Sequence, residues 1–374
     1  MSRRHAEIAG GGFAGLVAAI ALAERGWSVR LHEKGAALRA FGAGIFIWEN
    51  GLRVLKAIGA YDDVIAGAHD AGVYEVRDRG AVVERIRFDA TTGIRMLTMT
   101  RQTLYDAILA VARRADIELV VNSEAVAARP EGVLETRGGR RWPADLVVGA
   151  DGVGSPVRDS LRLQKERQAS ALGIVRVLAP RCRAELGPGD WDSVIDFWNL
   201  PRRGLRILYV PCNADDLYLA MMAPAHDAEA TALPLRQDIW APDFPELAPV
   251  LARVASDHRY DPYETGKLTR WSAGRVAIIG DAAHAMVPSL GQGAGMAMMN
   301  ALSLAVAVAD APSIPDALAA WEARERPLTE FAQDCSARVA RERVLNGGRM
   351  WTEDALRPAR YVPTGTGHLP PLIG

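Results

Sequence analysis

Three glycines near the N-terminus, Gly10, Gly12 and Gly15, have the spacing of sites that bind the pyrophosphate of a dinucleotide. In this pattern the first glycine makes a tight turn, the second lets the backbone approach the pyrophosphate, and the third lets a helix pack on a strand. Amides at the start of that helix, around Ala14, would then face the phosphates. The glycines therefore predict a bound nucleotide cofactor, and they do not distinguish FAD from NAD.

The residues around these glycines have the hydrophobic pattern of a strand, a helix and a second strand. The helix is predicted to run to about Arg25, and the second strand ends at Glu33. A carboxylate at this position accepts hydrogen bonds from ribose hydroxyls, which favours FAD or NAD over NADP. An ordinary glycine-rich turn is the alternative interpretation, and the combination of strand, helix and acid argues against it.

A second glycine-rich segment, GRVAIIGDAAHAMVPSLGQGAG, follows a buried strand and contains one acid, Asp281. So many glycines beside one acid indicate that the backbone closely approaches a bound group. A helix predicted to begin near Gly293 would direct the positive end of its dipole towards that group. The alternative for Asp281 is a helix N-cap, and for His284 we favour a packed structural histidine.

A third segment, PADLVVGADGVGSPVRDSL, predicts another buried strand, followed by a turn at Asp151 and Gly152 and a short helix that contains Arg158. This turn has the pattern of a cofactor-binding loop. It is equally well explained as a capped helix start, in which Asp151 or Ser155 accepts hydrogen bonds from free amides. From these residues alone the two interpretations are balanced.

Composition limits the class of partner. The 44 basic and 45 acidic residues give a formal net charge of -1, so the chain has no strong field for nucleic acid or an anionic membrane. Three widely spaced cysteines indicate neither a disulfide framework nor a zinc site, and no apolar stretch reaches the roughly 20 residues of a membrane span. We therefore expect a cytoplasmic protein without a metal, whose partner is a small molecule.

In order and spacing, the three segments together resemble the single-component FAD-dependent aromatic hydroxylases, the family that includes 4-hydroxybenzoate hydroxylase. The resemblance implies bound FAD, with NAD(P)H and O2 as cosubstrates that react through a C4a-hydroperoxyflavin. It also implies that Asp281 binds a ribityl hydroxyl and that Pro288 lies beside the flavin ring where oxygen reacts. Gly293 and Ala294 would offer amides to the pyrimidine end of the ring.

The same resemblance implies further cofactor contacts. Arg101, at the start of the predicted helix in MTRQTLYDAIL, would contact the cofactor, whereas a solvated helix cation is the alternative. Lys34, Arg39 and Asp151 complete the predicted cofactor-binding set. The family has no second nucleotide-binding domain for the nicotinamide, and no such domain is evident in this sequence, so NAD(P)H would bind only transiently.

Between residues 161 and 270 the pattern changes to alternating apolar and polar residues, which predicts antiparallel strands. We therefore predict two domains. An α/β FAD-binding Rossmann-like domain would comprise residues 1–72, 98–160 and 271–345. An α+β substrate domain with a mostly antiparallel sheet would comprise residues 73–97 and 161–270, and residues 346–374 would form a C-terminal arm.

Arg206 lies in the predicted strand LRILYV, where an unpaired buried cation would be costly. If Val210 pairs with Tyr218 across the intervening turn, one face of the sheet carries a shared set of side chains. That set is Arg206, Leu208, Tyr218, Ala220 and Met222. An arginine and a tyrosine in an apolar wall suit a flat anionic aromatic substrate. The alternative is an edge-strand arginine that faces water.

Further segments, including RRHAEIAGGGFAGL, RILYVPCN and YDPYETGKL, resemble the hydroxypyridine-carboxylate oxygenases of vitamin B6 breakdown, especially 2-methyl-3-hydroxypyridine-5-carboxylate oxygenase. This narrower resemblance implies that Arg206 and Tyr218 hold the substrate and that Tyr74 and Arg176 lie in the pocket. We group Arg206 and Tyr218 with Pro288 as the catalytic residues. Enzymes of this group insert both oxygen atoms and open the pyridine ring.

Two departures from that group affect the predicted pocket. Phe46 replaces a tyrosine, and Val287, immediately before Pro288, replaces a cysteine. Both changes remove a polar group, and a pocket that loses a donor can reject the original substrate. Simple hydroxylation of a phenolic acid is therefore an alternative, and a non-catalytic flavin-binding scaffold is a remote one. The sequence leaves the oligomeric state open, a homo-oligomer included.

Overall fold

The structure is a computed structural model that describes residues 3–39, 43–199, 203–254, 260–346 and 350–372. Its strands are β1 His5–Ala9, β2 Ser28–His32, β3 Gly44–Trp48, β4 His69–Asp70, β5 Val73–Asp78, β6 Ala81–Arg87, β7 Met96–Thr100, β8 Ile117–Val120, β9 Ala125–Arg129, β10 Val133–Thr136, β11 Arg141–Pro143, β12 Leu146–Gly149, β13 Gln164–Pro180, β14 Val194–Asn199, β15 Leu205–Pro211, β16 Asp216–Pro224, β17 Tyr260–Leu268, β18 Ser272–Ala273 and β19 Val276–Ile278. Its α-helices are α1 Phe13–Glu24, α2 Glu49–Ala57, α3 Tyr61–Gly67, α4 Arg101–Arg114, α5 Pro156–Ser160, α6 Gln237–Trp240, α7 Ala248–Leu251, α8 Asp281–His284, α9 Gly293–Val308, α10 Ile314–Asn346 and α11 Glu353–Leu356.

A largely parallel sheet brings the three glycine-rich segments together. Within the described residues its strand order is β18-β19-β12-β1-β2-β8, and only β18 runs antiparallel to its neighbour. The adjacent strands β1, β12 and β19 end at Ala9, Gly149 and Ile278. Because carboxyl ends of parallel strands lie at one edge of a sheet, the turns that follow these strands meet there.

A second, mostly antiparallel sheet has the order β17-β13-β16-β15-β14-β5-β6 among the described residues, with one parallel pair between β14 and β5. Val210 pairs with Tyr218, so the register predicted from the sequence is confirmed. All strands of this sheet lie within 73–97 and 161–270. The positions of these strands do not by themselves establish domain boundaries, so the division into two domains stays a prediction.

A small sheet, β3-β7-β4, lies at the junction of the two larger sheets. Strand β3 passes so close to the antiparallel sheet that a Cβ added at Gly44 would lie 2.4 Å from the Tyr218 Cβ. Three buried apolar clusters complete the interior: one surrounds the parallel sheet, one covers the outer face of the antiparallel sheet, and one lies between the sheets.

The chain returns to the junction after the long helix α10. Met350, Trp351 and Leu356 of the predicted arm are buried, and α11 lies within it. The arm is therefore packed against the protein and is only partly extended. In the part of the chain that the structure describes, no helix has the length and apolar character needed to cross a bilayer, and no group of side chains could hold a metal ion.

Candidate active site

A cavity of about 390 Å³ lies between the edge of the parallel sheet and the inner face of the antiparallel sheet. One side is formed by residues from all three glycine-rich segments: Gly12, Ala14, Ala150, Gly152, Asp281, Gly293 and Ala294. The opposite side is formed by side chains of the antiparallel strands. The geometry thus places a backbone-rich surface across from a side-chain surface in one shared cavity.

The three N-terminal glycines are required for different geometric reasons. Gly10 has φ +102°, and a Cβ there would lie 2.3 Å from the Ala150 carbonyl oxygen. A Cβ at Gly15 would lie 1.9 Å from the Gly10 carbonyl oxygen, so helix and turn are in direct contact. At Gly12 a Cβ would meet no atom of the described residues within 4 Å, which leaves room for a phosphate beside the start of α1.

Glu33 lies directly beside this glycine turn. Its Oε2 accepts a hydrogen bond from the Gly11 amide at 2.9 Å, and its Oε1 accepts one from the Gly35 amide at 2.7 Å. Each carboxylate oxygen keeps a lone pair for a further donor such as a ribose hydroxyl. Lys34 and Arg39 are exposed beyond the cavity wall, and their predicted cofactor contacts stay predictions.

The turn at Asp151 contains the hydrogen bonds of a capped helix. Ser155 Oγ accepts from the Arg158 amide at 2.9 Å, and Asp151 Oδ2 accepts from the Val157 amide at 3.2 Å. Burial raises the pKa of Asp151, and the bond from Ser155 opposes that rise. Arg158 is buried and donates to the Ala282 carbonyl at 3.3 Å, which fastens this turn to the Asp281 segment. Asp151 itself is outside the cavity wall.

Asp281 and Arg101 face the cavity from two sides. Gly280 is the N-cap of α8 and Asp281 is its first residue, so the N-cap interpretation of Asp281 is wrong. Protein surrounds Asp281, yet its side chain is accessible through the cavity. Burial raises the pKa of Asp281, and Arg101 and Arg176 partly oppose the rise.

Arg101 begins α4 as predicted, and it is not a solvated helix cation. Burial lowers the pKa of its guanidinium, and its Nε has no hydrogen-bond partner among the described residues. The Arg101 guanidinium lies 5.0 Å from the centre of the Phe13 ring. A buried cation beside Asp281 and the open space at Gly12 fits a polar cofactor with an anionic pyrophosphate, and FAD is such a cofactor.

His284 has a structural environment, as we favoured from the sequence. It is buried, its Nε2 lies 3.1 Å from Asn300 Nδ2, and its ring packs against Trp271. Burial lowers the pKa of His284 to about 4, so the imidazole is neutral at physiological pH. It therefore supports the Asp281 segment from behind the cavity.

The partner that Arg206 requires is a carboxylate of the protein. Arg206 Nε and Nη2 lie 2.5 and 2.7 Å from the two carboxylate oxygens of Asp196, which is 0% exposed, and Tyr74 donates its hydroxyl to Asp196 at 3.0 Å. Burial opposes the charge on Arg206, but Asp196 and Tyr74 outweigh it and raise the pKa above its ordinary value. Strand β15 is interior to the sheet, so the edge-strand alternative is wrong.

Arg206 still contributes to the cavity wall. Its Nη1 lies 3.3 Å from the sulfur of Met222 and is not engaged by Asp196. The face predicted from the register, Arg206, Leu208, Tyr218, Ala220 and Met222, lines the cavity in full. Sequence reasoning missed Asp196. The sequence did contain a feature that could have predicted this partner, because Asp196 is the one acid in the apolar segment VIDFW, whose strand pairs with that of Arg206.

Of the remaining predicted pocket residues, all but Val287 line the cavity. Tyr74, Arg176, Tyr218, Phe46 and Pro288 line the cavity. Arg176 lies 2.5 Å from Asp261 Oδ2, and burial raises the pKa of the Tyr218 phenol, which Arg176 and Arg101 partly oppose. Val287 departs from the prediction: its side chain packs in the buried apolar cluster between the sheets, outside the wall.

Several wall residues are ones to which the sequence analysis assigned no role. Trp48, Tyr263, Met350 and Trp351 line the cavity beside the predicted residues. Apolar and aromatic side chains of this kind usually indicate a core position. Only the approach of three distant segments at the sheet junction places them at a cavity, so their types alone could not reveal them.

Comparison with known proteins adds a family and a group of relatives. The family described as FAD binding domain matches residues 4–330 of the chain. A putative 2-heptyl-3-hydroxy-4(1H)-quinolone synthase of Rhodococcus erythropolis is 40% identical over 375 residues, covering 96% of this chain and 97% of the relative. A 3-amino-4-hydroxybenzoate 2-monooxygenase of Streptomyces cremeus is 30% identical and covers 98% of this chain and 94% of the relative.

Solved structures give a second set of matches. A crystal structure of a variant of 2-methyl-3-hydroxypyridine-5-carboxylic acid oxygenase superimposes with a TM-score of 0.93 at 50% identity, covering 96% of this chain and 97% of the other. A tetrameric form of the same oxygenase has the same TM-score and identity.

Proposed function

The chain belongs to the FAD-binding domain family and is an FAD-dependent oxidoreductase of the monooxygenase type, and from this premise we propose that it oxygenates a small hydroxylated heteroaromatic or aromatic acid. NAD(P)H and O2 are the proposed cosubstrates. The observation that carries the proposal is the shared cavity, in which the residues that fit FAD face Arg206, Tyr218 and Tyr74. Such a cavity brings a cofactor and a flat substrate together away from bulk water.

We assign the cofactor contacts as follows. The backbone at Gly12 and Ala14 binds the pyrophosphate, Glu33 the ribose, and Asp281 a ribityl hydroxyl. Amides of Gly293 and Ala294 face the pyrimidine end of the ring, where the positive end of α9 favours added negative charge. When bound, FAD supplies the redox and oxygen-activation chemistry of the reaction.

The substrate-side residues bind and orient the substrate. The raised pKa of Tyr218 keeps its hydroxyl protonated at neutral pH, so that it can donate a hydrogen bond to a phenolate or carboxylate oxygen. Arg206 offers Nη1, because Asp196 holds the rest of its guanidinium in place. Pro288 lines the same cavity. A deprotonated 3-hydroxypyridine is already electron-rich, so no residue is assigned as a general base.

Two substrate classes have support. A 3-hydroxypyridine carboxylate is supported by the oxygenase structures at 50% identity. A 2-alkyl-4-quinolone is supported by the quinolone synthases at 40% identity. Arg206 and Tyr218 on the substrate-facing wall suit a flat anionic ring, and the oxygenase structures have the higher identity. We therefore propose the single-ring class first.

The test is oxidation of NADH and NADPH by the FAD-loaded protein with 2-methyl-3-hydroxypyridine-5-carboxylate and with 2-heptyl-4(1H)-quinolone, with products identified by mass. Gain of two oxygens and loss of the aromatic absorbance would support oxygenation with ring opening. Gain of one oxygen with the ring intact would support simple hydroxylation. If neither these compounds nor a panel of phenolic acids stimulates NAD(P)H oxidation, the proposal fails and the scaffold alternative gains support.

The assembly state belongs to the same proposal. The oxygenase at 50% identity has been crystallised in a tetrameric form. On that basis we propose that this chain is a homo-oligomer. Sedimentation equilibrium of the FAD-loaded protein measures the mass directly, and a monomeric mass would remove this part of the proposal.

A further inference from the structure

The C-terminal arm, which the sequence left without a functional interpretation, contributes to the wall of the cavity. Met350 and Trp351 both line it, although they are almost 60 residues beyond Gly293 in the sequence. Trp351 is 9% exposed and belongs to the apolar cluster between the sheets. An aromatic side chain this large determines the shape of any cavity that it borders.

Trp351 packs in an aromatic cluster on the substrate side of the cavity. Its ring centre lies 5.0 Å from that of Tyr74, 5.2 Å from that of Trp48 and 5.5 Å from that of Phe88. The ring planes make angles of 62° to 85°, the edge-to-face geometry that aromatic pairs favour. Tyr74 in turn donates to Asp196, the carboxylate that holds Arg206. Trp351 is thus directly connected to the polar part of the substrate wall.

Two hydrogen bonds fix the backbone of the arm at this point. The Glu84 carboxylate accepts from the Met350 amide at 2.8 Å and from the Trp351 amide at 3.2 Å. Glu84 lies on β6, the edge strand of the antiparallel sheet. Hydrogen bonds from backbone amides to a carboxylate are charge-assisted and hold the donors firmly. The position of the indole is therefore fixed relative to the sheet.

A buried amide ties the following part of the arm to the cofactor-facing segment. Asn50 Nδ2 donates to the Pro358 carbonyl and to Gln292 Oε1, each at 2.9 Å. Asn50 and Gln292 are buried, and Gln292 immediately precedes Gly293 at the start of α9. The arm is consequently held at both halves of the cavity and behaves as a fixed wall.

We propose that Trp351 is the specificity-determining residue that closes the substrate end of the cavity and limits the size of the ring substituent. This inference rests on the proposed function, because it concerns the substrate that function requires. Trp351 admits a single ring with a short substituent and excludes a long alkyl chain. Replacement by a smaller side chain extends the cavity towards Trp48 and Phe88 and admits longer substituents.

The experiment uses the FAD-loaded full-length protein and equilibrium binding, measured by the absorbance change of the bound flavin. The probes are 3-hydroxypyridine-5-carboxylates that carry methyl, ethyl or butyl at position 2, and a matching set substituted at position 6. In the unmodified protein, affinity falls as the substituent of at least one set lengthens. In Trp351→Ala the ratio of butyl to methyl affinity in that set rises at least about tenfold, since each buried methylene contributes about 0.8 kcal/mol.

Truncation of a buried tryptophan can prevent folding, so Trp351→Phe is measured alongside. It keeps a six-membered ring and should shift the ratio in the same direction by a smaller factor. Trp240→Phe is the matched control, because Trp240 is also buried but lies in the cluster on the outer face of the antiparallel sheet. Its butyl-to-methyl ratio should equal that of the unmodified protein.

An unchanged ratio in both Trp351 variants, with FAD retained, would overturn the inference and leave the proposed function intact. Loss of FAD from Trp351→Phe but not from Trp240→Phe would overturn it as well, because Trp351 would then support the cofactor. Absence of binding by every probe to the unmodified holoprotein, together with absence of turnover, would reject the proposed function and the inference with it.

Discussion

The two sides of the cavity differ in whether backbone or side-chain atoms form them. The cofactor-facing side consists mainly of backbone: glycine turns after three adjacent parallel strands and amides at the starts of α1 and α9. The substrate-facing side consists of side chains that project from antiparallel strands, with the charges of Arg206 and Arg176 paired to Asp196 and Asp261. One side can therefore be recognised from local spacing, whereas the other depends on partners from separate strands.

The difference has an energetic counterpart. A backbone site tolerates no added atoms where chain segments touch, but it contains few charges that need compensation. A side-chain site with a buried ion pair, such as Arg206 with Asp196, is sensitive to the loss of one partner, because the remaining charge stays buried. Substitutions on the cofactor-facing side should therefore destabilise the protein by steric clash, and those on the substrate-facing side by loss of charge compensation. Three experiments test this distinction.

The largest expected effect is on the substrate side. Arg206→Met leaves Asp196, which is 0% exposed, without its cationic partner. Loss of one partner of a buried ion pair costs about 3 to 5 kcal/mol, and we expect the free energy of unfolding in urea to fall by that amount. FAD should remain bound under native conditions, while affinity for an aromatic carboxylate decreases.

The double variant Arg206→Met/Asp196→Asn is the control for that experiment. It removes both charges, so most of the lost stability should return, while carboxylate affinity stays low. If Arg206→Met alone is as stable as the unmodified protein, the ion pair does not hold the substrate wall together. If its carboxylate affinity is also unchanged, Arg206 is not part of the binding site.

An intermediate effect is expected at the glycine turn. Gly15→Ala places a Cβ 1.9 Å from the Gly10 carbonyl oxygen, and the helix must move. Overpacking of this kind costs about 3 kcal/mol, measured as the free energy of unfolding of the FAD-free protein. Gly12→Ala is the matched change without a clash, and it should alter that stability by less than about 1 kcal/mol.

The two glycine variants separate folding from binding. Gly12→Ala should still weaken FAD binding, because the added methyl group occupies the space assigned to the pyrophosphate. Fluorescence titration of the FAD-free protein with FAD measures this affinity. Unaltered FAD affinity in a well-folded Gly12→Ala variant would show that the open space beside Gly12 is not the phosphate site.

The smallest expected effect concerns Asp281, a carboxylate of the cofactor-facing side that lines the cavity. Asp281→Asn loses a charge-assisted hydrogen bond to FAD, a contribution of about 1.5 to 3 kcal/mol, so FAD affinity should fall about ten- to a hundred-fold. The FAD-free protein should become more stable at neutral pH, because burial raises the pKa of Asp281 and its charged form therefore opposes folding.

The pH dependence has a definite sign. Asp281 binds its proton more tightly in the folded state than in the unfolded state, so it destabilises the fold only where it is ionised. The gain in stability of Asp281→Asn over the unmodified protein is therefore largest at pH values above the raised pKa that Asp281 has in the folded state. It disappears as the pH falls towards the ordinary aspartate value of 3.8. Thermal unfolding of both FAD-free proteins across this range tests the direction, and an advantage that grows towards acid pH would contradict it.

The sequence by itself was sufficient for the elements whose information is local. Gly10, Gly12 and Gly15 lie close together where the chain passes from β1 into α1, and their geometric roles follow from spacing because the strand, the turn and the helix are consecutive. The pairing of Val210 with Tyr218 was also predictable, since a short turn connects the two strands and alternation fixes which side chains share a face.

Tertiary structure alone decided the rest of the site. Asp196 neutralises Arg206 from a neighbouring strand, and Val287 turns into the apolar cluster although Pro288, the next residue, lines the cavity. Trp351 reaches the cavity from the C-terminal arm, to which the sequence analysis assigned no site residue. Burial and charge pairing depend on which distant segments meet, and a residue type in a linear sequence does not record its neighbours in space.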